Sequence, residues 1–230
     1  FLKYASGASG TDSSGNGNTM SISGTITNLK DSPDNNFSTM NPLENYYPNQ
    51  TFTEGDNTVK SDHPAPATST LAMASGKWYF EGKAIVSTAG PPGDWQFGIV
   101  STQLQATSNE VGHFANDYGY RGSDGDYRTN DSNTSYGDTY TTGDIIGCAV
   151  DLTNNKLYFS KNGTWQNSGD PTSGSTGTGA ISITAPASTS LGAYFVAVGA
   201  NASANDYTWS MNFGNGYFGT TAVSTSESDD

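Results

Sequence analysis

The clearest signal along this chain is alternation. From Asp144 to Leu152, Ile146, Cys148, Val150 and Leu152 fall on one face, and Ile145, Gly147, Ala149 and Asp151 on the other. That is the two-residue period of a strand. Thr153-Asn154-Asn155 then reads as a turn, and Lys156-Leu157-Tyr158-Phe159-Ser160 returns as a second strand, which predicts a hairpin. Asn162-Gly163 is a tight-turn dipeptide with Trp165 placed to fold back over that hairpin. Upstream, Lys77 to Val86 is an aromatic-rich strand, Pro91-Pro92-Gly93-Asp94 a turn, and Trp95 to Val100 the next strand. Gly192 to Ala200 and Tyr207 to Phe213 supply late strands. Many short strands joined by Gly/Asn turns predict an all-β fold, an antiparallel β-sandwich.

Ahead of Gly76 the pattern fades. Thr11 to Asn18 is a turn cluster, Met20 to Ile26 alternates as one isolated strand, and Asp31 to Asn36 breaks it. The stretch from Asp62 to Ser69 reads as connector. The organisation expected is an irregular N-terminal arm over 1–75 that partly packs on the following domain. A sandwich over 76–218 and a linker to further chain over 219–230 complete it. The chain opens with Phe1 rather than Met, which suggests a processed product or a segment of something longer.

Composition sharpens this. Of 230 residues, 33% are hydrophobic, enough for a core, while only 13% are charged, against roughly a quarter in an ordinary domain. Gly, Ser, Thr and Asn fill the difference, and they are poor in helix interiors. Nine Lys+Arg against 22 Asp+Glu give a net charge of −13. That sign repels phosphate backbones and anionic membrane surfaces, so neither nucleic acid nor membrane is an expected partner. No apolar run approaches the roughly 18 residues of a membrane span. The single cysteine, Cys148, excludes an internal disulfide and reads as a small buried residue.

Several of these blocks form a known set. Gly76-Lys77-Trp78-Tyr79-Phe80-Glu81, Phe97-Gly98-Ile99 and Tyr118-Gly119-Tyr120 resemble the opening of a SPRY domain. Gly143 to Leu152 followed by Lys156 to Gly163 is similar to its most specific block, and Tyr194 to Val198 and Met211 to Gly214 to its closing strands. The resemblance spans roughly residues 70 to 218. It implies a bent sandwich of two antiparallel sheets, a relative of the concanavalin-like jelly rolls, with binding loops at one edge. The flanks carry a second likeness. Phe1-Leu2-Lys3-Tyr4 with Asp12 to Asn18 resembles the end of a concanavalin/laminin-G-like module. Asp31 to Leu43 resembles a linker joining such a module to a SPRY domain in virion proteins of marine tailed bacteriophages.

Catalytic groupings are sparse. His63 and His113 are isolated in sequence, whereas a metal site needs three or four ligands, so no metal and no cofactor is expected. Glycoside hydrolysis needs two carboxylates across the sugar. Only Glu81 lies in a clear strand, where it reads as a surface charge near Lys77 or Lys83. Asp124-Gly125-Asp126 with Asn130-Asp131 suggests a calcium loop, but the twelfth position, Ser135, is not the closing Glu of an EF-hand. The six Asn-X-Ser/Thr sequons fit chance in so Asn-rich a chain. No catalysis is expected.

What remains is a recognition surface. Residues 113 to 140 hold Phe114, Tyr118, Tyr120, Tyr127, Tyr136 and Tyr140, together with Arg121 and Arg128, the only arginines of the chain. Tyr and Arg offer rigid area and planar hydrogen bonding, and several of these Tyr serve equally well as sandwich filling. The ligand-binding candidates are Trp95, as a rim aromatic, with Tyr118, Tyr120, Arg121, Tyr127, Arg128 and Tyr136. The leading expectation is a non-enzymatic module on a tailed-phage virion surface, in a tail fibre, head fibre or capsid decoration. There it binds a host-surface glycan or protein, or neighbouring virion subunits, as part of a homo-oligomer. The alternative is a cellular or secreted module that binds a peptide through its edge loops; a polysaccharide-degrading enzyme ranks third.

Overall fold

The structure is a computed structural model. It describes residues 12, 14–21, 23, 37–44, 50–61, 66–87, 95–101, 109–200, 207–214, 217–218 and 221–222. Two compact units are present, Phe1–Asn36 and Phe37–Asp230. In the first, the Asp12 carboxylate accepts hydrogen bonds from the backbone N–H groups of Ser14 (2.8 Å) and Asn18 (2.9 Å), which closes the expected turn. The strand expected over Met20 to Ile26 does not form at Met20, Ser21 and Ser23; its remaining residues lie outside those described.

The second unit is built of short strands. In chain order they are β1 (Thr51–Thr53), β2 (Thr58–Ser61), β3 (Ala67–Met73), β4 (Lys77–Ser87) and β5 (Trp95–Val100). There follow β6 (Tyr118–Arg121), β7 (Asp126–Thr129), β8 (Ser132–Ser135), β9 (Ile145–Asp151) and β10 (Lys156–Lys161). The last are β11 (Thr164–Trp165), β12 (Ile181–Ser182), β13 (Tyr194–Ala200), β14 (Tyr207–Asn212), β15 (Tyr217–Phe218) and β16 (Thr221–Ala222). Helical content among the described residues is limited to four 3₁₀ turns.

Two antiparallel sheets face each other. The larger runs β1-β2-β14-β4-β9-β10-β11, with β12 added on β10; the smaller runs β3-β13-β5-β6-β7-β8. Alternation explains the faces. Phe80, Cys148 and Phe159 are aligned across β4, β9 and β10 and point inward. From the smaller sheet Phe97, Ile99, Tyr120, Val196 and Val198 meet them. Aromatic rings make the seam: Phe97 stacks on Trp209 at 5.4 Å, Trp95 meets Trp209 edge-on at 5.1 Å, and Phe80 lies 5.6 Å from Phe97. Burial of this many large side chains, each contributing roughly 1.5–3 kcal/mol, replaces the disulfides the chain lacks. Cys148 is fully buried among them.

The expected boundary at Gly76 is displaced. β1 and β2 extend the larger sheet through β14, and β3 forms the edge of the smaller one against β13. Met40 is fully buried and bridges to Ser69. The described part of 37–75 is therefore sandwich, not irregular arm. Its strands hide from a two-residue reading because β3 buries three residues, exposes three and buries one, across a register shift in its pairing with β13. Of 219–230, Thr221 and Ala222 pair with Tyr217–Phe218, and the rest lies outside the described residues.

Candidate recognition surface

β6 carries the sequence Tyr118-Gly119-Tyr120-Arg121 and is buried along its whole length. Inward it presents Tyr118 and Tyr120. The Tyr120 ring stacks on Phe159 at 5.2 Å, and its hydroxyl donates to the Asp138 carbonyl. The Tyr118 hydroxyl accepts from the Thr184 N–H at 3.0 Å. Tyr136 is buried, and its hydroxyl accepts the Phe159 N–H at 3.1 Å. Burial pushes the Tyr120 and Tyr136 phenols well above their ordinary value. Trp95, expected on a rim, has no exposed surface and is wedged edge-on between Tyr207 and Trp209. Trp95, Tyr118, Tyr120 and Tyr136 are thus core residues and offer no ring to a ligand. The physical reason is simple: a sandwich with so few aliphatic residues fills its interior with aromatics, and the three tyrosine hydroxyls each find a backbone partner.

The remaining candidates lie at the periphery. The Arg121 guanidinium, largely buried, pairs with Asp124 at 2.8 Å. Arg128 is half-buried and bridges Glu110 (3.4 Å) and Asp131. His113 Nδ1 also reaches Asp131, at 2.7 Å. The Arg128 hydrogen bond, helped by His113, holds the Asp131 carboxyl below its ordinary range. Tyr127 is half-buried, with its ring edge-on to Tyr136 at 6.0 Å. Arg121 thus braces the β6–β7 turn, whereas Arg128 braces the other end of β7 and Tyr127, on the opposite face of the strand, packs towards the core.

That turn is rigidly held. The Gly122 N–H donates to the Trp95 carbonyl (2.9 Å), Gly125 N–H to Arg121 (3.1 Å), and Tyr140 N–H to Gly122 (3.0 Å). The buried Tyr140 hydroxyl lies 2.7 Å from the Tyr120 carbonyl and 3.0 Å from that of Trp95. Only Ser123 and Asp124 of the turn face solvent. The register places it at one end of the sandwich: Gln96 opposes Arg121, and Ala200 opposes Trp95. Asp124 spends one carboxylate oxygen on Arg121 and the other on the Asp126 N–H. Among the described residues no group of three or more His, Cys, Asp or Glu gathers as a metal site.

Glu81 has different partners from those expected. Its carboxylate accepts from the Tyr79 hydroxyl (2.7 Å) and the Asn212 amide (3.1 Å), whereas Lys77 pairs with Asp151 at 3.6 Å. Two aromatics outside the expected recognition segment do reach solvent: Trp78 is 45% exposed and Tyr79 46%. The signal for Tyr79 was its odd position in β4, in phase with Lys77 and Glu81 and out of phase with Phe80.

Comparison with known proteins agrees with this architecture. The SPRY domain model matches residues 77–214. Ran-binding protein 9 of Danio rerio is 36% identical over 107 residues, which are 46% of this chain and 16% of that protein. Ran-binding protein 9 of Xenopus tropicalis is 40% identical over 105 residues, covering 46% and 18%. The match therefore spans under a fifth of the length of these relatives. Among solved structures, that of stonustoxin superposes with a TM-score of 0.53 at 16% identity, over 76% of this chain and 27% of that one. With its family model covering more than half the chain, this chain belongs to the SPRY domain family, a family of protein-interaction modules.

Proposed function

We propose that the chain is a non-enzymatic recognition module that binds a segment of a partner protein at the end of the sandwich marked by the β6–β7 turn. The observation that carries this is the bracing of Arg121–Gly125. Four backbone hydrogen-bonding groups and the Arg121–Asp124 ion pair fix the turn before any partner arrives. A pre-set loop binds without a large ordering cost. Tyr127 and Arg128 flank it on the same hairpin. The test is selection from a library of displayed random dodecapeptides, followed by hydrogen exchange. Protection on peptide addition should map to residues 120–128, and Asp124→Ala should weaken binding at least tenfold while its circular dichroism spectrum stays that of the folded protein. Protection elsewhere on the domain alone would refute this site.

A second reading concerns the setting. The acidic, Ser/Thr/Asn-rich composition and the phage-like Asp31 to Leu43 segment favour a virion-surface role in a tailed phage. There the module binds a host-surface glycan or protein, or a neighbouring subunit in a homo-oligomer. Mass spectrometry of purified particles decides it: absence of the chain from virions ends this reading.

A further inference from the structure

We infer a second docking surface, distinct from the β6–β7 end, on the outer face of the larger sheet, and its occupant is an acidic segment of a partner protein with an apolar anchor.

The centre is an aromatic corner. A Cβ placed on Gly147 would fall 2.7 Å from the Tyr79 hydroxyl and 3.3 Å from its ring, so the ring lies down over β9 where a side chain is missing. Trp165 stands against it, with centroids 6.2 Å apart and planes at 69°. Tyr158 supports Trp165 from beneath at 6.4 Å and is itself buried. Tyr79, exposed, and Trp165, half-buried, thus meet as an aromatic corner against which one apolar side chain of a partner can pack. The Tyr79 hydroxyl is held by Glu81, which Asn212 holds in turn, so the ring is fixed. Exposed aromatics fixed in this way are the usual anchors of protein interfaces.

Charge selects the occupant. The chain carries only nine cations. Among the described residues, register places four of them, Lys60, Lys77, Lys83 and Lys156, on this one face, against two carboxylates, Glu81 and Asp151, the latter paired with Lys77. An otherwise acidic molecule of net charge −13 thus turns a locally basic face outward. Lys77, 61% exposed, and Lys83 lie on β4 to either side of the corner. Six residues of strand separate them by roughly 20 Å. An extended segment with acids near both ends and an apolar residue between them matches that spacing. The repulsion from the rest of the molecule is screened beyond about 8 Å at physiological salt, while contacts on the face are not.

The test pans displayed random dodecapeptides against the Arg121→Ala, Asp124→Ala variant, so the β6–β7 end contributes nothing and failure there leaves this result readable. Selected peptides should carry net negative charge and an apolar residue. Their affinity should fall at least tenfold in Tyr79→Ala and in Lys77→Glu, Lys83→Glu, and should drop between 50 and 300 mM salt. Circular dichroism and Tm confirm that the Arg121→Ala, Asp124→Ala background and the variants built on it fold. Neutral or basic selected peptides, or acidic ones indifferent to both variants, would overturn the inference. So would tighter binding of a (dT)12 oligonucleotide or of anionic lipid vesicles, or a concentration-dependent mass in light scattering that the lysine variants abolish, which would assign the face to a second copy.

Discussion

The ring of Tyr120 lies parallel to that of Phe159, 5.2 Å between centroids and 19° between planes, and so ties β6 of the smaller sheet to β10 of the larger. Tyr136 adds a second tie to the same residue, ring edge against ring at 6.1 Å and hydroxyl to the Phe159 N–H. One residue of β10 is thus the meeting point of both sheets and of the loop that follows β8. Truncation there removes contacts on three sides at once. Phe159→Ala is expected to lose about 3–5 kcal/mol in urea unfolding. A loss below 1 kcal/mol would mean that the site collapses around the gap.

Gly98 has a sharper constraint. A Cβ at this position would lie 1.9 Å from the Tyr118 carbonyl oxygen and 2.9 Å from the Gly119 Cα, both backbone atoms of the paired strand. Backbone cannot swing aside as a flexible side chain does, so β5 and β6 must separate locally. Gly98→Ala should therefore yield little soluble folded protein, or a Tm lowered by more than 10 °C in differential scanning calorimetry, on the scale of about 2–4 °C per kcal/mol for domains of this size. Wild-type stability in this variant would contradict the close approach of the two strands.

Asp151 predicts an acid limb of stability. Burial raises its carboxyl, but the Asn154 side-chain and backbone donors, with Lys77 and the Thr153 N–H, outweigh that, and the group is held below its ordinary 3.8. A folded value below the unfolded one means the contribution is present above pH 4. It is lost as pH falls through the lowered folded value. Urea unfolding from pH 7 to pH 2.5 should show stability declining below pH 4, with a smaller decline in Asp151→Asn.

Cys148 should be inert in the native protein. It is fully buried, and burial pushes its thiol well above the usual value, so thiolate is absent at neutral pH. A thiol reagent such as DTNB should titrate no cysteine in buffer and one in denaturant. Rapid native reaction would show that the space between the sheets opens.

Asn162 couples two elements through one side chain. Its backbone is left-handed at φ 49°, its Oδ1 accepts the Ile145 N–H at 2.9 Å, and its Nδ2 donates to Asp144 at 2.7 Å. Asn162→Ala should cost about 1–2 kcal/mol, since it loses both hydrogen bonds and strains the turn. Asn162→Asp restores the acceptor but sets two carboxylates together, and so should be worse above pH 5 than below pH 4.

Much of the fold was written in local pattern. Alternation around Cys148 marked β9, the apolar run Leu157-Tyr158-Phe159 after the Asn-Asn turn marked β10, and Asn-Gly marked the next turn, because backbone geometry there depends on neighbours in sequence. The short strands β2 and β3 were invisible, since they are held by pairing with β14 and β13 more than 120 residues away, and β1 joins the sheet only through its hairpin with β2.

The sequence by itself determined a disulfide-free, aromatic-filled antiparallel sandwich of strongly acidic charge. It did not determine which aromatics are inside. Trp95, Tyr118, Tyr120 and Tyr136 looked like a binding surface and are core, while Tyr79, from a strand read as structural, is exposed and meets the half-buried Trp165 at a corner. A Tyr has the same composition value in either place. Only the packing of one sheet on the other decides which side of a strand meets water, and only the register across β2, β4, β10 and β14 gathers distant lysines onto a single face.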